Sequence, residues 1–189
     1  MTPHPVNEMG NFIAGWTPAD TSICDRLIDY HKRSGHKRPG QIHGPANQQV
    51  KESTDAAILD SAVFTDYADY LQACLKEYIE LYYWVNEFDP WYIKEHINIQ
   101  HYTPGQAYHA WHTERRDASQ PTTSRHLVFM TYLNDVEDQG ETEWYYQKVK
   151  IKPERGLTVF WPTDWTFVHR GIASPSQEKY IATGWYSFK

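Results

Sequence analysis

The apolar residues of this chain keep two different rhythms, and the change falls near Pro90. Ahead of it they recur every three to four positions. Ile23, Leu27, Ile28 and His31 share one side of a helical projection, with Thr17-Pro18 as cap and first turn and Gly35 as a stop. This spacing predicts a helix near 18–33. A longer stripe of Phe64, Ala68, Leu71, Leu75, Tyr78 and Tyr82, opposed by Asp66, Asp69, Lys76, Glu77 and Glu80, predicts a second helix from about 60 to 85. Residues 1–16 show no period and are expected to lie extended over the surface. Pro39, Gly40, Gly44 and Pro45 mark the 35–50 stretch as a loop.

Beyond Pro90 the period is two. Along Tyr92–Tyr102 the isoleucines 93, 97 and 99 fall on one face and Lys94, His96, Asn98, Gln100 and Tyr102 on the other. If the helices cover the isoleucine face, Asn98, Gln100 and Tyr102 look into whatever the sheet encloses, which suits a ligand cavity better than a packed core. Further strands are predicted at 125–133, 141–146, 149–152, 157–161, 166–169 and 179–188, separated by turn-forming pieces such as Gln139-Gly140 and Ser174-Pro175. Two helices followed by about eight short strands predict a mainly β fold, a jelly roll with two or more helices packed on one sheet. No repeat or linker divides it. The expectation is one domain over 1–189, with a helical part at 1–90 and a β core at 91–189.

Composition narrows the function classes. A net charge of −6 gives no general affinity for nucleic acid or an anionic membrane. The basic run His31–Arg38 reads as a solvated helix end. Cys24 and Cys74 sit singly in helical patterns, as small core residues in a reducing compartment do. No apolar run reaches spanning length, and no cationic start precedes an apolar core, so a soluble cytoplasmic protein is expected. With 8 Trp and 14 Tyr the chain is rich in rings that join an apolar body to a polar handle, as a semi-polar cavity wall requires.

The candidate chemistry starts at His112-Thr-Glu114. On a strand, positions i and i+2 point to the same side, so His112 and Glu114 would converge on one ion. His169, expected at the end of a strand 165–169, is the third candidate ligand. Two histidines and one carboxylate leave open coordination positions, the arrangement found in non-haem Fe(II) oxygenases. A structural zinc site would be closed by four ligands and favour cysteine. A zinc hydrolase would carry H-E-x-x-H on a helix, which is absent.

Four further matches in order bring a resemblance into view. Lys179 follows His169 by ten residues. Tyr102, within Tyr-x-Pro-Gly, precedes His112 by ten. Thr131-Tyr-Leu-Asn-Asp-Val-Glu-Asp-Gln-Gly-Glu-Thr142 and Ile151-Lys-Pro-Glu-Arg-Gly-Leu-Thr-Val-Phe160 complete the set. Residues 92–188 thereby resemble the Fe(II)/2-oxoglutarate-dependent dioxygenases, in the branch typified by prolyl 4-hydroxylases. The resemblance implies a cupin-like double-stranded β-helix in which His112, Glu114 and His169 hold Fe(II). It implies that Lys179 and Tyr102 meet the far carboxylate of 2-oxoglutarate, with hydroxyls from Tyr132 and Thr183 to the cosubstrate and Trp185 walling the iron site. O2 would be the second cosubstrate and ascorbate a candidate addition. Most relatives carry Asp where this chain has Glu114. The longer side chain keeps the charge and disfavours a halogenase, whose relatives put a small residue there.

By the same resemblance Arg115, Arg125 and the ring of Trp144 are the candidate substrate contacts. Two function classes remain: a hydroxylase acting on a prolyl residue of a peptide or protein, or on a small molecule or free amino acid, and a non-catalytic metal-binding barrel. Lys179 and Tyr102 favour the enzyme, since a barrel that only holds metal needs no dicarboxylate clamp. The sequence sets no oligomeric state.

Overall fold

A computed structural model describes residues 1–40 and 49–189. In chain order the elements are β1 (Thr2–Pro3), β2 (Ala14–Thr17), α1 (Ser22–Arg33), β3 (Arg38–Pro39), β4 (Thr54–Ala57), α2 (Ser61–Leu81), β5 (Trp91–Ile93), β6 (Asn98–Tyr102), β7 (Arg125–Tyr132), β8 (Thr142–Trp144), β9 (Val149–Ile151), β10 (Thr158–Pro162), β11 (His169–Gly171) and β12 (Lys179–Phe188). Among the described residues the large antiparallel sheet runs β1-β2-β10-β7-β12-β6-β4-β3, with β5 pairing the far end of β12. A second sheet, β11-β8-β9, faces it. This is the jelly roll that the strand pattern predicts.

Alternation along the central strands divides the interior in two. Leu127 and Phe129 of β7, with Tyr180, Ala182 and Tyr186 of β12, meet Ile23, Leu27, Tyr67, Leu71 and Tyr78 of the helices. Val128, Met130, Tyr132 and Ile181 point the other way, toward Trp144, Val149 and Ile151 of the small sheet. The isoleucine face expected for the first long strand behaves accordingly: Ile97 and Ile99 are fully buried on the helix side, and Asn98, Gln100 and Tyr102 line a cavity on the other. Gly184 is what lets β12 lie so close to β7. A Cβ there would sit 2.5 Å from Phe129 Cζ.

Several expectations are corrected. Residues 1–16 do not drape the surface. Ala14, Gly15 and Trp16 pair with β10, and Ile13, Ala14 and Trp16 are core residues, so three buried apolar side chains in and beside a short strand were too few to reveal a period. With β3 and β4, this means that the first 90 residues supply sheet as well as helix. Helix α1 begins at Ser22 rather than at Pro18. Thr17 ends β2, and Asp20 Oδ1 accepts from Ser22 N at 2.8 Å. Helix α2 starts on Asp60, whose Oδ1 accepts from the amides of Ala62 and Val63, and stops at Leu81, before a 3-10 turn at Tyr83–Asn86. Its buried face is Tyr67, Leu71, Cys74, Leu75 and Tyr78, so Phe64 and Ala68 lie at the edge of the stripe. The strand expected across Tyr92–Tyr102 is broken into β5 and β6. The 166–169 strand is in fact a 3-10 turn, Trp165–Phe167, and the strand proper starts at His169. Part of the expected 35–50 loop, with Gly44 and Pro45, lies outside the described residues.

Candidate metal and cosubstrate site

His112 and His169 form an isolated antiparallel bridge, each amide donating to the other's carbonyl at 2.9 Å. Paired positions of such a bridge project to the same side, so the two imidazoles meet, with ring centres 4.2 Å apart. Glu114 follows on irregular backbone, not on the strand expected for the triplet. Its Oε1 nevertheless reaches 3.5 Å from His112 Nε2 and 3.2 Å from His169 Nε2. One atom from each of the three residues lies within 4.8 Å of the other two.

The donor set itself shows that this cluster fits a cation. His112 Nδ1 is 3.0 Å from the carbonyl of Ala110, and His169 Nδ1 is 2.9 Å from that of Phe167. A carbonyl only accepts, so each Nδ1 carries a proton, and in a neutral ring each Nε2 then keeps a free lone pair. Two lone pairs and a carboxylate oxygen then face one another, an arrangement that repels unless a positive ion sits between them. Burial, and then neighbouring His169, lowers the pKa of His112 and keeps its ring neutral. For Glu114, burial opposes ionisation, and the carboxyl is held well below its ordinary range only by proton or positive charge on the side of His112 and His169, the place that a bound cation would take. Packing fixes both rings: Tyr108 stacks on His112 at 3.6 Å, and Trp161 meets His169 edge-on at 5.1 Å.

The three residues line a cavity of 420 Å³, which Lys179 also lines. Lys179 is 4% exposed, and its ammonium donates to the carbonyls of Gly140 at 2.8 Å and Ile172 at 3.4 Å. No described residue offers it a carboxylate. Burial accordingly pushes it down to about 8, with distant Glu141 opposing. A buried ammonium with one N–H unused and no counter-ion is a site for an anion. Met130, Ile181, Thr142 and Tyr102 complete that part of the wall.

The other candidate residues separate. Thr183 and Trp185 line the cavity, as does Arg125. Tyr132 does not. Its hydroxyl donates to Thr142 Oγ1 at 2.7 Å, so Thr142 is the hydroxyl that the cavity meets. Nor are the protons of Tyr102 and Thr183 free: the first goes to Gln100 Oε1 at 2.6 Å and the second to the carbonyl of Phe129 at 3.0 Å. Trp144 is fully buried against Trp161 and His169, a core residue rather than a substrate contact. Arg115 pairs with Asp164 and stands outside the cavity lining. Arg125 is held bidentately by Glu95.

The residues that the sequence did not mark are Lys51, Asp55, Glu95 and Tyr108. Lys51 and Asp55 form a buried pair at 2.8 Å in the cavity wall, and Ser53 donates to the same carboxylate at 2.7 Å. They enter because β4 adds to the edge of β6. The four-residue strand Thr-Asp-Ala-Ala has no hydrophobic alternation, and no signal in the chain places it there.

The family model of the 2OG-Fe(II) oxygenase superfamily matches residues 97–187. No curated protein matches the chain. Among solved structures, a viral collagen prolyl hydroxylase from Paramecium Bursaria Chlorella virus-1, as its 2OG complex, superposes with a TM-score of 0.73 at 22% identity, over 95% of this chain and 98% of that one. A Pseudomonas putida prolyl-4-hydroxylase gives 0.73 at 15% identity, over 96% of each chain. A Trichoplax adhaerens prolyl hydroxylase in complex with a hypoxia inducible factor peptide gives 0.73 at 16%, over 96% of this chain and 89% of that one. At these identities the likeness speaks for the fold, the double-stranded β-helix.

Proposed function

We propose that the protein is a dioxygenase of the 2OG-Fe(II) oxygenase superfamily, whose family model matches residues 97–187, and that it hydroxylates a C–H bond of a prolyl residue in a peptide or protein. The observation that carries the reading is the convergence of His112, Glu114 and His169 in the same cavity as Lys179, a buried ammonium to which no described residue offers a carboxylate. A barrel that only stored metal would not bury that cation at a cost in stability.

Bound Fe(II) would supply the activation of O2 that couples decarboxylation of 2-oxoglutarate to succinate and CO2 with hydroxylation of the substrate. The chain's own groups do the rest. His112, Glu114 and His169 hold the metal from one side and leave its other positions to ligands. Lys179 pairs with the far carboxylate of 2-oxoglutarate and so fixes its orientation. Met130 and Ile181 form apolar wall in the same cavity, which limits water around that pair.

The prolyl assignment draws on fold likeness to prolyl hydroxylases, one of them holding a peptide. A polar small substrate is the second reading, favoured by the buried Lys51–Asp55 pair in the cavity wall. The test is formation of succinate from 2-oxoglutarate with Fe(II), followed by a mass-spectrometric search for a +16 Da product among proline-containing peptides and free amino acids. Succinate with a hydroxylated peptide supports the reading. Hydroxylation of free amino acids alone replaces the peptide with the small substrate, and no succinate under any condition leaves only a metal-binding barrel.

A further inference from the structure

Glu114 is longer than the aspartate of the resembling family by one methylene and one torsion, and that freedom has to be removed if its carboxylate is to present a single oxygen to a metal. The structure contains a device for doing so. Trp185 Nε1 donates to Glu114 Oε2 at 3.0 Å, while Oε1 is the oxygen that faces the two imidazoles. The Trp185 ring is itself covered by the guanidinium of Arg125, 3.5 Å from the ring centre. Arg125 is in turn held at three points: Nε and Nη2 donate to Glu95 at 2.8 and 2.6 Å, and Nη1 donates to the backbone carbonyl of Glu114 at 3.0 Å. The same Nη1 is 3.7 Å from Glu114 Oε2.

We propose that Trp185 and Arg125, anchored by Glu95, are positioning residues that tie Glu114 Oε2 away from the metal and leave Oε1 as its one ligand atom. The inference rests on reading His112, Glu114 and His169 as metal ligands. A carboxylate free to rotate would offer both oxygens and occupy a position that cosubstrate or O2 needs. Holding Oε2 on an indole N–H prevents this at little entropic cost, because the indole has already lost its freedom between Arg125 and the sheet. The four residues come from four separate parts of the chain, the segment after β5, the segment after His112, strand β7 and strand β12, so the brace is a property of the fold. It also moves Arg125 from a candidate substrate contact to a support for a ligand.

The test is Fe(II) binding by the full-length protein, stripped of metal and titrated anaerobically in a calorimeter, with the thermal unfolding midpoint recorded alongside. Trp185→Phe keeps the ring and removes the N–H, and should weaken Fe(II) binding by roughly 10–100-fold, the usual effect of losing an outer partner of a ligand. Arg125→Lys keeps the charge but not the flat, forked stack, and should weaken binding in the same direction by less. It serves as the second variant if Trp185→Phe does not fold. In a Glu114→Asp background the side chain is about 1.5 Å shorter and falls short of the indole. Trp185→Phe should then cost less than threefold. An equal loss in both backgrounds, or no loss with Glu114 in place, overturns the brace while leaving the metal site standing. Failure of the unaltered protein to bind Fe(II) overturns the ligand reading and the brace with it.

Discussion

Lys179 stands opposite Tyr102 across β12 and β6, its ammonium 5.1 Å from the centre of the phenol ring, and both side chains line the cavity that holds the three candidate metal ligands. The pairing register is what brings the cation there. Every second residue of β12 from Lys179 to Trp185, that is Ile181, Thr183 and Trp185, lines the same cavity.

Lys179→Ala should therefore remove the anion site and leave the metal ligands in place. Breaking a buried pair from one side costs about 3–5 kcal/mol, which corresponds to a loss of cosubstrate affinity of roughly two to four orders of magnitude. Titration of Fe(II)-loaded protein with 2-oxoglutarate measures it. An unchanged affinity would exclude Lys179 from the site.

The same lysine gives a pH signature with two opposite signs. Its pKa falls from an ordinary 10.5 to about 8 through burial. Below pH 8 it is cationic in folded and unfolded chains alike, so it binds an anion but burdens the fold. Between about 8 and 10.5 the unfolded chain holds the proton and the folded chain does not, so its contribution to stability rises with pH. Over the same window the free protein must take up a proton to pair with a carboxylate, and 2-oxoglutarate affinity should fall by about tenfold per pH unit above 8. Binding and unfolding titrations over pH 7–10 check both trends. Lys179→Arg, which does not titrate there, should lose the decline in affinity.

Glu114→Asp and Glu114→Ala separate charge from reach. The alanine variant should lose Fe(II) affinity by more than the roughly 10–100-fold that an outer partner is worth, together with all 2-oxoglutarate turnover. The aspartate variant keeps the charge and should retain part of both. Full activity in Glu114→Ala would remove this residue from the metal site.

How much of this was legible in the sequence depends on how local each cause is. The alternation of Ile97 and Ile99 with Asn98, Gln100 and Tyr102 already divided the strand into a helix-covered face and a cavity face, and the structure keeps that division. His112, Glu114 and His169 were marked as candidate ligands by residue type and spacing, and Lys179 by the family resemblance, although the geometry achieves their meeting differently. A single bridge between His112 and His169 orients the pair, where a continuous strand through the triplet was expected. Trp144 was misplaced because nothing local distinguishes a tryptophan that fills the small sheet from one that lines a mouth. Lys51, Asp55 and Glu95 were invisible for a different reason. Their roles depend on which strand lies beside β6 and which arginine reaches across, and such long-range pairings leave no periodic trace in a four-residue strand.

Gly184→Ala tests the close approach of the two central strands. The added Cβ would lie 2.5 Å from Phe129 Cζ, and a ring that is fully buried among helix and sheet residues has nowhere to move. Overpacking of this kind costs about 1–3 kcal/mol, and a urea midpoint measures it. Phe129→Leu in the Gly184→Ala background should recover part of the loss, since it removes the ring atoms that clash.

The Lys51–Asp55 pair distinguishes a structural wall from a substrate contact. Both side chains are buried, so removing one strands the other: Lys51→Met and Asp55→Asn should each destabilise by about 3–5 kcal/mol. The double variant Lys51→Met/Asp55→Leu removes both charges and, for a pair with no other role, should return close to the original stability. Catalysis then separates the two roles. Lys51 and Asp55 touch neither the metal ligands nor Lys179, so turnover of 2-oxoglutarate without substrate should survive in the double variant. If the pair also orients the substrate, the fraction of 2-oxoglutarate turnover that ends in hydroxylated product should fall severalfold while succinate formation continues. Equal coupling in the double variant and the unaltered protein would leave the pair as wall alone. The substrate would then be read from Asn98 and Gln100, which share that cavity, rather than from its charges.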